Sequence, residues 1–210
     1  MIEQIRSLVE QTRSRKDRSW VAGKDFVPYA GPYFDDEEYV VAIESLLSEW
    51  LVMGNKSIQF ERRFPKLFDK SRGILTNSGS SSNLLMMTAL TSKRSYNLSK
   101  GTKVLMPIAG FPTTLNPTLQ VGFQPVFVDI ELDTLNLDLN KVEEVLSRER
   151  DIRVITFAHV LGNPPDMNRL MELVKKYDLV LLEDCCDALG STYDDRPLGG
   201  FGEMASCSFY

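Results

Sequence analysis

Apolar residues in the second half of the chain alternate between short β-branched runs and helical repeats. The runs predict strands at Gly73–Thr76, Lys103–Met106, Pro125–Ile130, Arg153–Phe157 and Leu179–Glu183, with another over Met204–Tyr210 that is cut at its carboxyl end. The repeats predict helices over Ser80–Thr91, Leu139–Arg148 and Met167–Lys176. Strands that are apolar at nearly every position are typical of a parallel sheet with helices on both faces. The pattern therefore predicts an α/β fold, a three-layer α/β/α sandwich on a mostly parallel sheet.

The N-terminal part of the chain is more polar and carries two further helical repeats. One extends from Met1 to about Trp20 and predicts a short amphipathic helix that leads into an arm. The other covers Asp35–Trp50, where acidic residues open the first turn and the apolar spacing predicts a docked helix. We therefore predict an N-terminal helix and arm over residues 1–34 and one larger domain over residues 35–210.

The overall charge narrows the classes of partner. The chain has 210 residues, 43% of them hydrophobic, and a net charge of −5. This balance lacks the excess of cations with which proteins bind nucleic acids or anionic membranes, so neither partner is predicted. No apolar run approaches the roughly 20 residues of a membrane span, and we see no signal-peptide core. We expect a cytoplasmic protein whose three cysteines, Cys185, Cys186 and Cys207, are reduced.

A run of small polar residues, Asn77–Asn83, lies between a predicted strand and a predicted helix. At a helix start, backbone N–H groups without intrahelical acceptors and the positive end of the helix dipole favour an anion. The run lacks the lysine of the nucleotide-triphosphatase loop and the G-x-G-x-x-G spacing of dinucleotide folds. The sequence therefore predicts a site for a lone phosphate monoester, such as a small phosphorylated cofactor carries.

Ligands of parallel sheets bind beyond the carboxyl ends of the strands, and two of these ends carry candidate side chains. Asp184 closes an apolar strand, where a buried carboxylate requires a cation or a strong donor. A protonated pyridine nitrogen would meet this need, and the carboxylate would keep the ring an electron sink. Phe111, in a Gly-Phe-Pro turn after another strand, is a candidate to stack on such a ring. The alternatives are that Asp184 caps a helix or turn and that Phe111 belongs to the core.

His159 is the only histidine and follows a predicted strand at the same edge of the sheet. It either contacts cofactor or substrate or is a hydrogen-bonded structural residue. With one histidine and no clustered acids at ligand spacing, no metal site is predicted. The chain has no G-x-S-x-G motif, which argues against a nucleophile elbow.

Taken in order, these motifs resemble one family, the DegT/DnrJ/EryC1/StrS sugar aminotransferases. The matching motifs are Gly54, Phe60-Glu61, Asn77–Asn83, Pro125–Ile130, Glu183-Asp184 and Ser208-Phe209. The resemblance covers about Asp35 to Tyr210 and implies a fold type I enzyme dependent on pyridoxal 5'-phosphate (PLP). Residues 35–210 would be its PLP-binding large domain, aspartate aminotransferase-like and incomplete at the C-terminus. Three stretches are similar to the nucleotide-sugar 3-dehydrase branch, in particular to enzymes of CDP-4-keto-6-deoxyglucose: Ala109–Pro117, His159–Pro164 and Cys186–Gly190.

This resemblance implies that one group of residues binds the phosphate and the ring face of the cofactor. The backbone and hydroxyls of Gly79, Ser80 and Ser81 would hold the phosphate, and Ser208 would add a further hydroxyl. Phe111 would stack on the ring.

A second group would bind the polar edge of the ring. Asp184 would bind the ring nitrogen. Asp187, also at the cofactor, stands where aminotransferases of the family usually have glutamine, which favours the 3-dehydrase branch. His159 and Asn163 would lie in the vicinity of substrate or cofactor.

For function, the resemblance implies C3 dehydration of a nucleotide-linked 4-keto-6-deoxyhexose in deoxysugar and O-antigen biosynthesis, with PLP or pyridoxamine 5'-phosphate (PMP). The alternatives are a sugar-nucleotide aminotransferase of the same family and a non-catalytic cofactor-binding fragment. The family's base, lysine in aminotransferases or histidine in 3-dehydrases, is expected shortly beyond Tyr210, so residues 1–210 alone are expected to be inactive. A homodimer is implied, as are a reductase partner and an iron–sulfur cluster whose cysteines would lie further downstream.

Overall fold

The computed structural model describes residues 2–14, 20–27, 31, 34–48, 50 and 52–209. The chain consists of two compact units, Met1–Ile58 and Gln59–Tyr210, each held together by its own internal contacts. Some predicted elements fall partly outside the described residues: residues 1, 15–19, 28–30 and 32–33 of the predicted helix and arm, residue 49 of the second predicted helix and residue 210 of the last predicted strand. The predicted division into a helix and arm over residues 1–34 and a larger domain over residues 35–210 stays a prediction.

The first unit contains the helices α1 (Ile2–Ser14) and α2 (Asp36–Leu47) and the start of α3 (Asn55–Arg63). Asp35 caps α2: its carboxylate accepts from the Glu37 amide at 2.7 Å, and the Glu38 carboxylate accepts from the Asp35 amide at 2.8 Å. This reciprocal capping box fixes the helix start, and the helix predicted over Asp35–Trp50 is confirmed over Asp36–Leu47. Among the described residues, no helix combines the length and apolar character needed to cross a membrane.

The second unit alternates strands and helices. Its strands are β1 (Lys103–Pro107), β2 (Gln124–Val128), β3 (Ile130–Glu131), β4 (Asn136–Leu137), β5 (Ile152–Ala158), β6 (Val180–Asp184), β7 (Thr192–Tyr193), β8 (Arg196–Pro197) and β9 (Met204–Ser206). Its helices are α4 (Gly79–Ala89), α5 (Pro112–Gln120), α6 (Leu139–Arg148) and α7 (Met167–Lys176), with 3-10 turns at Phe64–Phe68 and Val160–Gly162. Five strands form one parallel sheet in the order β2-β1-β5-β6-β9, and β3-β4 and β7-β8 are antiparallel pairs.

Helices cover both faces of this sheet. Successive residues of a strand point to opposite faces, so each strand contributes to two separate cores. One core joins the sheet to α6 and α7 and includes Ile155 and Leu181. The other joins it to α4 and α5 and includes Val154 and Leu182. The three-layer α/β/α sandwich predicted from the sequence is therefore confirmed.

The parallel register brings the carboxyl ends of three neighbouring strands together. Ala158 at the end of β5 pairs with Asp184 at the end of β6, and Asp184 pairs with Ser206 at the end of β9. Residues that follow these strands therefore meet at one edge of the sheet.

The strand predicted over Met204–Tyr210 ends at Ser206, and two further parts of the predicted secondary structure need correction. The strand predicted at Gly73–Thr76 is wrong, because the segment adopts no regular secondary structure. A strand requires a pairing neighbour, and the Leu75 amide instead donates to the Glu61 carboxylate at 2.7 Å. The helix α5 was not predicted. Pro112 and Pro117 obscure its helical pattern, although Pro112 occupies the first position, where no amide donor is needed.

Candidate functional site

The start of α4 forms the turn for which the sequence predicts anion binding, and that role stays a prediction. Ser78 is its N-cap: the side-chain oxygen accepts from the Ser81 amide at 3.2 Å, and the carbonyl accepts from the Ser82 amide at 3.0 Å. The amides of Gly79 and Ser80 come earlier in the first turn, where a helix offers no acceptor. These two amides and the positive end of the helix dipole are therefore what an anion would meet.

Gly79 is packed too closely for any side chain. A Cβ added at Gly79 would lie 2.7 Å from the Cys186 sulfur and 2.8 Å from the Ser208 Cβ, distances that real Cβ atoms essentially never show. Cys186 follows β6 and Ser208 follows β9. The loops after these two strands are therefore in direct contact with the start of α4.

Asp184 is a buried carboxylate held by uncharged donors. Only 6% of the residue is exposed. Its Oδ1 accepts from the Cys186 amide at 3.0 Å and lies 3.2 Å from the Ser206 hydroxyl, and its Oδ2 accepts from the Asn83 side-chain amide at 2.6 Å. A carboxylate offers about four lone-pair sites, so capacity remains for a cationic donor. Since Asn83 follows Gly79 by one helical turn, about 6 Å along the axis, α4 joins the carboxylate to the serine-rich turn at its start.

We call Asn83, Asp184 and Ser206, together with the start of α4, the cluster. Two cavities flank this cluster. The larger, of about 310 Å³, is lined by the serine turn, by Ser206 and Ser208, and by the phenylalanine rings of Phe60 and Phe64. The smaller, of about 10 Å³, lies between Asp184, Asn83 and Thr114. Within the described part of the chain, the buried Thr114 hydroxyl has no hydrogen-bond partner. The serine turn and Asp184 are thus neighbours that line different cavities.

His159 pairs with Glu183, the residue before Asp184, whose side chain projects to the other face of the sheet. The His159 Nε2 lies 3.0 Å from the Glu183 Oε2, and both side chains are fully buried. Glu183 also accepts from the amides of Gly199 at 2.9 Å and Gly202 at 2.5 Å. Burial opposes the ionisation of Glu183, but these hydrogen bonds outweigh burial and hold its pKa below the ordinary value.

The structure therefore gives His159 a structural partner. Its backbone amide donates to the Asp184 carbonyl at 2.9 Å, but its side chain is not brought to the Asp184 carboxylate. A contact of His159 with cofactor or substrate stays a prediction.

The remaining predicted residues, Phe111, Asn163 and Asp187, follow the strands β1, β5 and β6. Phe111 is the N-cap of α5 and is 69% exposed, while Thr114 of the same helix start reaches the cavity beside Asp184. Asp187 is exposed in the loop after β6. Asn163 is exposed after β5, and its carbonyl accepts from the Asn136 side-chain amide at 2.9 Å. Contacts of Phe111, Asp187 and Asn163 with a ligand stay predictions.

The three cysteines are free thiols. Burial and the nearby carboxylates of Glu183 and Asp184 raise the pKa of Cys185, and burial with Asp184 raises the pKa of Cys186. Burial also raises the pKa of Cys207, to about 11. All three thiols are therefore protonated at neutral pH and are not candidates for a nucleophile.

Sequence reasoning missed two members of the cluster, Asn83 and Ser206. Both are buried and polar, with 7% and 3% of the residue exposed. For Asn83, the available signal was an amide at the start of an apolar helical repeat, one turn after Gly79. Ser206 offered only a small hydroxyl in a short strand, with nothing to indicate its partner.

The packing of Gly79 leads to a prediction about stability. Gly79→Ala should lower the free energy of unfolding by about 1–3 kcal/mol, because the new methyl group would overlap Cys186 and Ser208. Urea denaturation measures the change. Gly31→Ala is the matched control, since no atom of the described residues lies within 4 Å of a Cβ at that position. Equal stabilities of the two variants would contradict the tight packing of the turn.

The chain is similar in sequence to proteins of one family. The sequence profile of the DegT/DnrJ/EryC1/StrS aminotransferase family matches residues 32–210. The lipopolysaccharide biosynthesis protein RfbH of Salmonella typhimurium is 38% identical over 99% of this chain and 48% of its own length. The dTDP-4-dehydro-2,6-dideoxy-D-glucose 3-dehydratase of Saccharopolyspora spinosa is 36% identical over 98% of this chain and 45% of its own. The chain thus spans about half the length of these relatives.

Solved structures share the fold as well. A variant of GDP-4-keto-6-deoxymannose-3-dehydratase with bound GDP-perosamine superposes with a TM-score of 0.81 and 34% identity, over 87% of this chain and 47% of that one. The E. coli GDP-4-keto-6-deoxy-D-mannose-3-dehydratase with bound hydrated PLP has a TM-score of 0.77 and 34% identity, over 83% of this chain and 44% of that one.

Proposed function

Because the chain belongs to the DegT/DnrJ/EryC1/StrS aminotransferase family, we propose that it binds PLP or PMP at the carboxyl edge of its sheet. The observation that carries this proposal is the link from Gly79 through Asn83 to Asp184. It joins an anion-binding helix start to a buried carboxylate within one helical turn. The E. coli 3-dehydratase with bound hydrated PLP supports the choice of cofactor.

The donor chemistry of the cluster fits both ends of such a cofactor. At the phosphate end, the amides of Gly79 and Ser80 and the hydroxyls of Ser81 and Ser208 would bind the oxygens. The close packing of Gly79 keeps this cradle free of a side chain at that position. At the ring end, the donors that contact Asp184 are the neutral groups of Asn83, Cys186 and Ser206. A cationic ring nitrogen would supply the opposite charge that a buried carboxylate requires.

When bound, the cofactor supplies an electron sink, provided that its ring nitrogen is protonated. Asp184 would hold that proton in place, because a carboxylate beside a pyridine nitrogen favours the protonated ring. Phe111 is exposed at the start of α5 and would cover one face of the ring.

Binding the ring requires local movement. The cavity beside Asp184, of about 10 Å³, has about the volume that one water molecule needs. The residues before α5, including Ile108 and Phe111, are exposed. We therefore propose that this loop shifts to admit the ring while the strand ends stay fixed.

For the whole protein, the proposed reaction is C3 dehydration of a nucleotide-linked 4-keto-6-deoxyhexose. The similarity to two 3-dehydratases at 34–36% identity supports it, as does Asp187 at the position where family aminotransferases usually have glutamine. The proposal includes action in the cytoplasm on a nucleotide-sugar substrate, as a homodimer. A reductase partner and an iron–sulfur cluster in a C-terminal part belong to the variant of this proposal that uses a CDP-linked sugar.

A sugar-nucleotide aminotransferase is the second candidate, because the family is named for aminotransferase activity. In both reactions the residues described here bind and polarise the same cofactor. The base that moves protons, histidine or lysine, is proposed to lie beyond Tyr210, so we propose that residues 1–210 alone bind cofactor without turnover. A non-catalytic cofactor-binding role for this chain is the third candidate.

The reaction is tested with protein extended beyond residue 210. We expect this protein, given PMP, an amino donor and a reductant, to convert a nucleotide-linked 4-keto-6-deoxyhexose into a product that lacks the C3 oxygen. Mass spectrometry of the sugar nucleotide measures the change. A product in which an amino group replaces the keto oxygen would favour the aminotransferase instead. Cofactor binding without conversion of any such sugar would favour the non-catalytic role.

A further inference from the structure

Three buried polar side chains form a closed group that ties α4 to the ends of two strands. Asn83 comes from α4, Asp184 from β6 and Ser206 from β9, and none is more than 7% exposed. The Asn83 Nδ2 donates to the Asp184 Oδ2 at 2.6 Å. The Ser206 hydroxyl lies 2.6 Å from the Asn83 Oδ1 and 3.2 Å from the Asp184 Oδ1. Each member therefore contacts the other two.

The chemistry of the group fixes the direction of each hydrogen bond. An ionised carboxylate only accepts, so Asn83 must present its NH₂ group to Asp184. The Asn83 carbonyl then faces Ser206, whose single hydroxyl proton serves the shorter contact, that to Asn83. If the Asn83 amide turned over, its oxygen would face the Asp184 carboxylate oxygen, and two acceptors would meet there. The carboxylate thus sets the orientation of the Asn83 amide, and the two polar atoms of that amide link Asp184 to Ser206.

We infer that Asn83 and Ser206 are positioning residues, which hold the Asp184 carboxylate in the orientation that receives a cationic ring nitrogen while α4 holds the phosphate of the same cofactor. The inference rests on the proposed function. Its basis in the structure is that Asn83 and the phosphate cradle lie on one helix, one turn apart, and Ser206 is the register partner of Asp184. A displacement of Asn83 would therefore separate the two ends of the site.

The test uses Asn83→Leu, which keeps the side-chain size and removes both polar atoms, and Ser206→Ala. The dissociation constant of PMP is measured by titration calorimetry and compared with that of inorganic phosphate. We expect Asn83→Leu to weaken PMP binding roughly 10-fold, as for the loss of a hydrogen bond to a charged group, and Ser206→Ala roughly 3-fold. Ser206→Thr, which retains the hydroxyl, should restore PMP binding. Phosphate affinity should not change in any of these variants.

A spectroscopic readout separates positioning from general support of the fold. The pH midpoint at which the absorbance of bound PMP changes should fall in Asn83→Leu, because a misplaced carboxylate stabilises the protonated ring less well. Asn116→Leu makes the same change on the exposed side of α5 and should leave both affinity and midpoint as in the wild type.

Each outcome decides one question. Wild-type affinity and midpoint in Asn83→Leu would overturn the inference while leaving the proposed function intact. Equal losses of PMP and phosphate affinity would also overturn it, because Asn83 would then merely support α4. Failure of the wild-type chain to bind PMP would overturn the proposed function itself, and the inference with it. If Asn83→Leu does not fold, as judged by circular dichroism, Ser206→Ala and its threonine rescue decide alone.

Discussion

Replacing Glu183 with alanine is expected to lower the free energy of unfolding by about 3–5 kcal/mol at neutral pH. The carboxylate is fully buried and accepts from His159 Nε2 and from the amides of Gly199 and Gly202. Its removal would leave these buried donors without an acceptor and detach the Gly199–Gly202 loop from β6. Urea denaturation followed by circular dichroism measures the loss.

The exposed Glu172 of α7 provides the matched control, because Glu172→Ala removes a carboxylate that contributes little to packing. That variant should stay within about 0.5 kcal/mol of the wild type. A loss of less than about 1 kcal/mol in Glu183→Ala would contradict the structural role of this pair, since the buried hydrogen bonds would then carry no net stability.

The same pair gives an expected pH dependence. The pKa of Glu183 in the folded state lies below its ordinary value of 4.5. A carboxylate with a lowered folded pKa adds stability above its unfolded pKa and loses this contribution as the pH falls through the folded pKa. The difference in stability between wild type and Glu183→Ala should therefore narrow below about pH 4.5. A difference that stays constant down to about pH 3 would contradict this prediction.

Replacing Asp184 with asparagine is expected to weaken PMP binding roughly 10- to 100-fold, which corresponds to about 1.5–3 kcal/mol for a hydrogen bond between charged groups. Asparagine is nearly isosteric and can still accept from the Cys186 amide, so the fold should be retained. It lacks the negative charge that a protonated ring nitrogen requires. Calorimetric titration with PMP measures the effect, and Asp133→Asn on the exposed surface is the control.

The sheet and its covering helices were largely predictable, because burial imposes regular patterns on long elements. Leu139–Arg148 and Met167–Lys176 are helices with the predicted bounds, since each carries three buried residues at helical spacing on an otherwise polar segment. Gly73–Thr76 was mispredicted because a β-branched run forms a strand only where a neighbour pairs with it. Pairing is a property of the fold and cannot be read from four residues.

The site was predictable only in part. The helix start at Gly79 and the buried carboxylate at Asp184 follow from local sequence, because a serine-rich turn and an acidic strand end each have few physical roles. The sequence did not indicate that His159 would pair with Glu183, since two adjacent acids project to opposite faces of the sheet and either can face a histidine. Asn83 and Ser206 were missed because their roles depend on contacts between residues 123 positions apart.

The central claim is that the start of α4 and the Asp184 carboxylate hold opposite ends of one cofactor. Calorimetric titration of the wild type and Asp184→Asn with PMP, pyridoxamine and inorganic phosphate tests it most directly. We expect the wild type to bind PMP far more tightly than either partial ligand, and Asp184→Asn to lose affinity for PMP and pyridoxamine but not for phosphate. Equal affinity of the two proteins for PMP would contradict the claim.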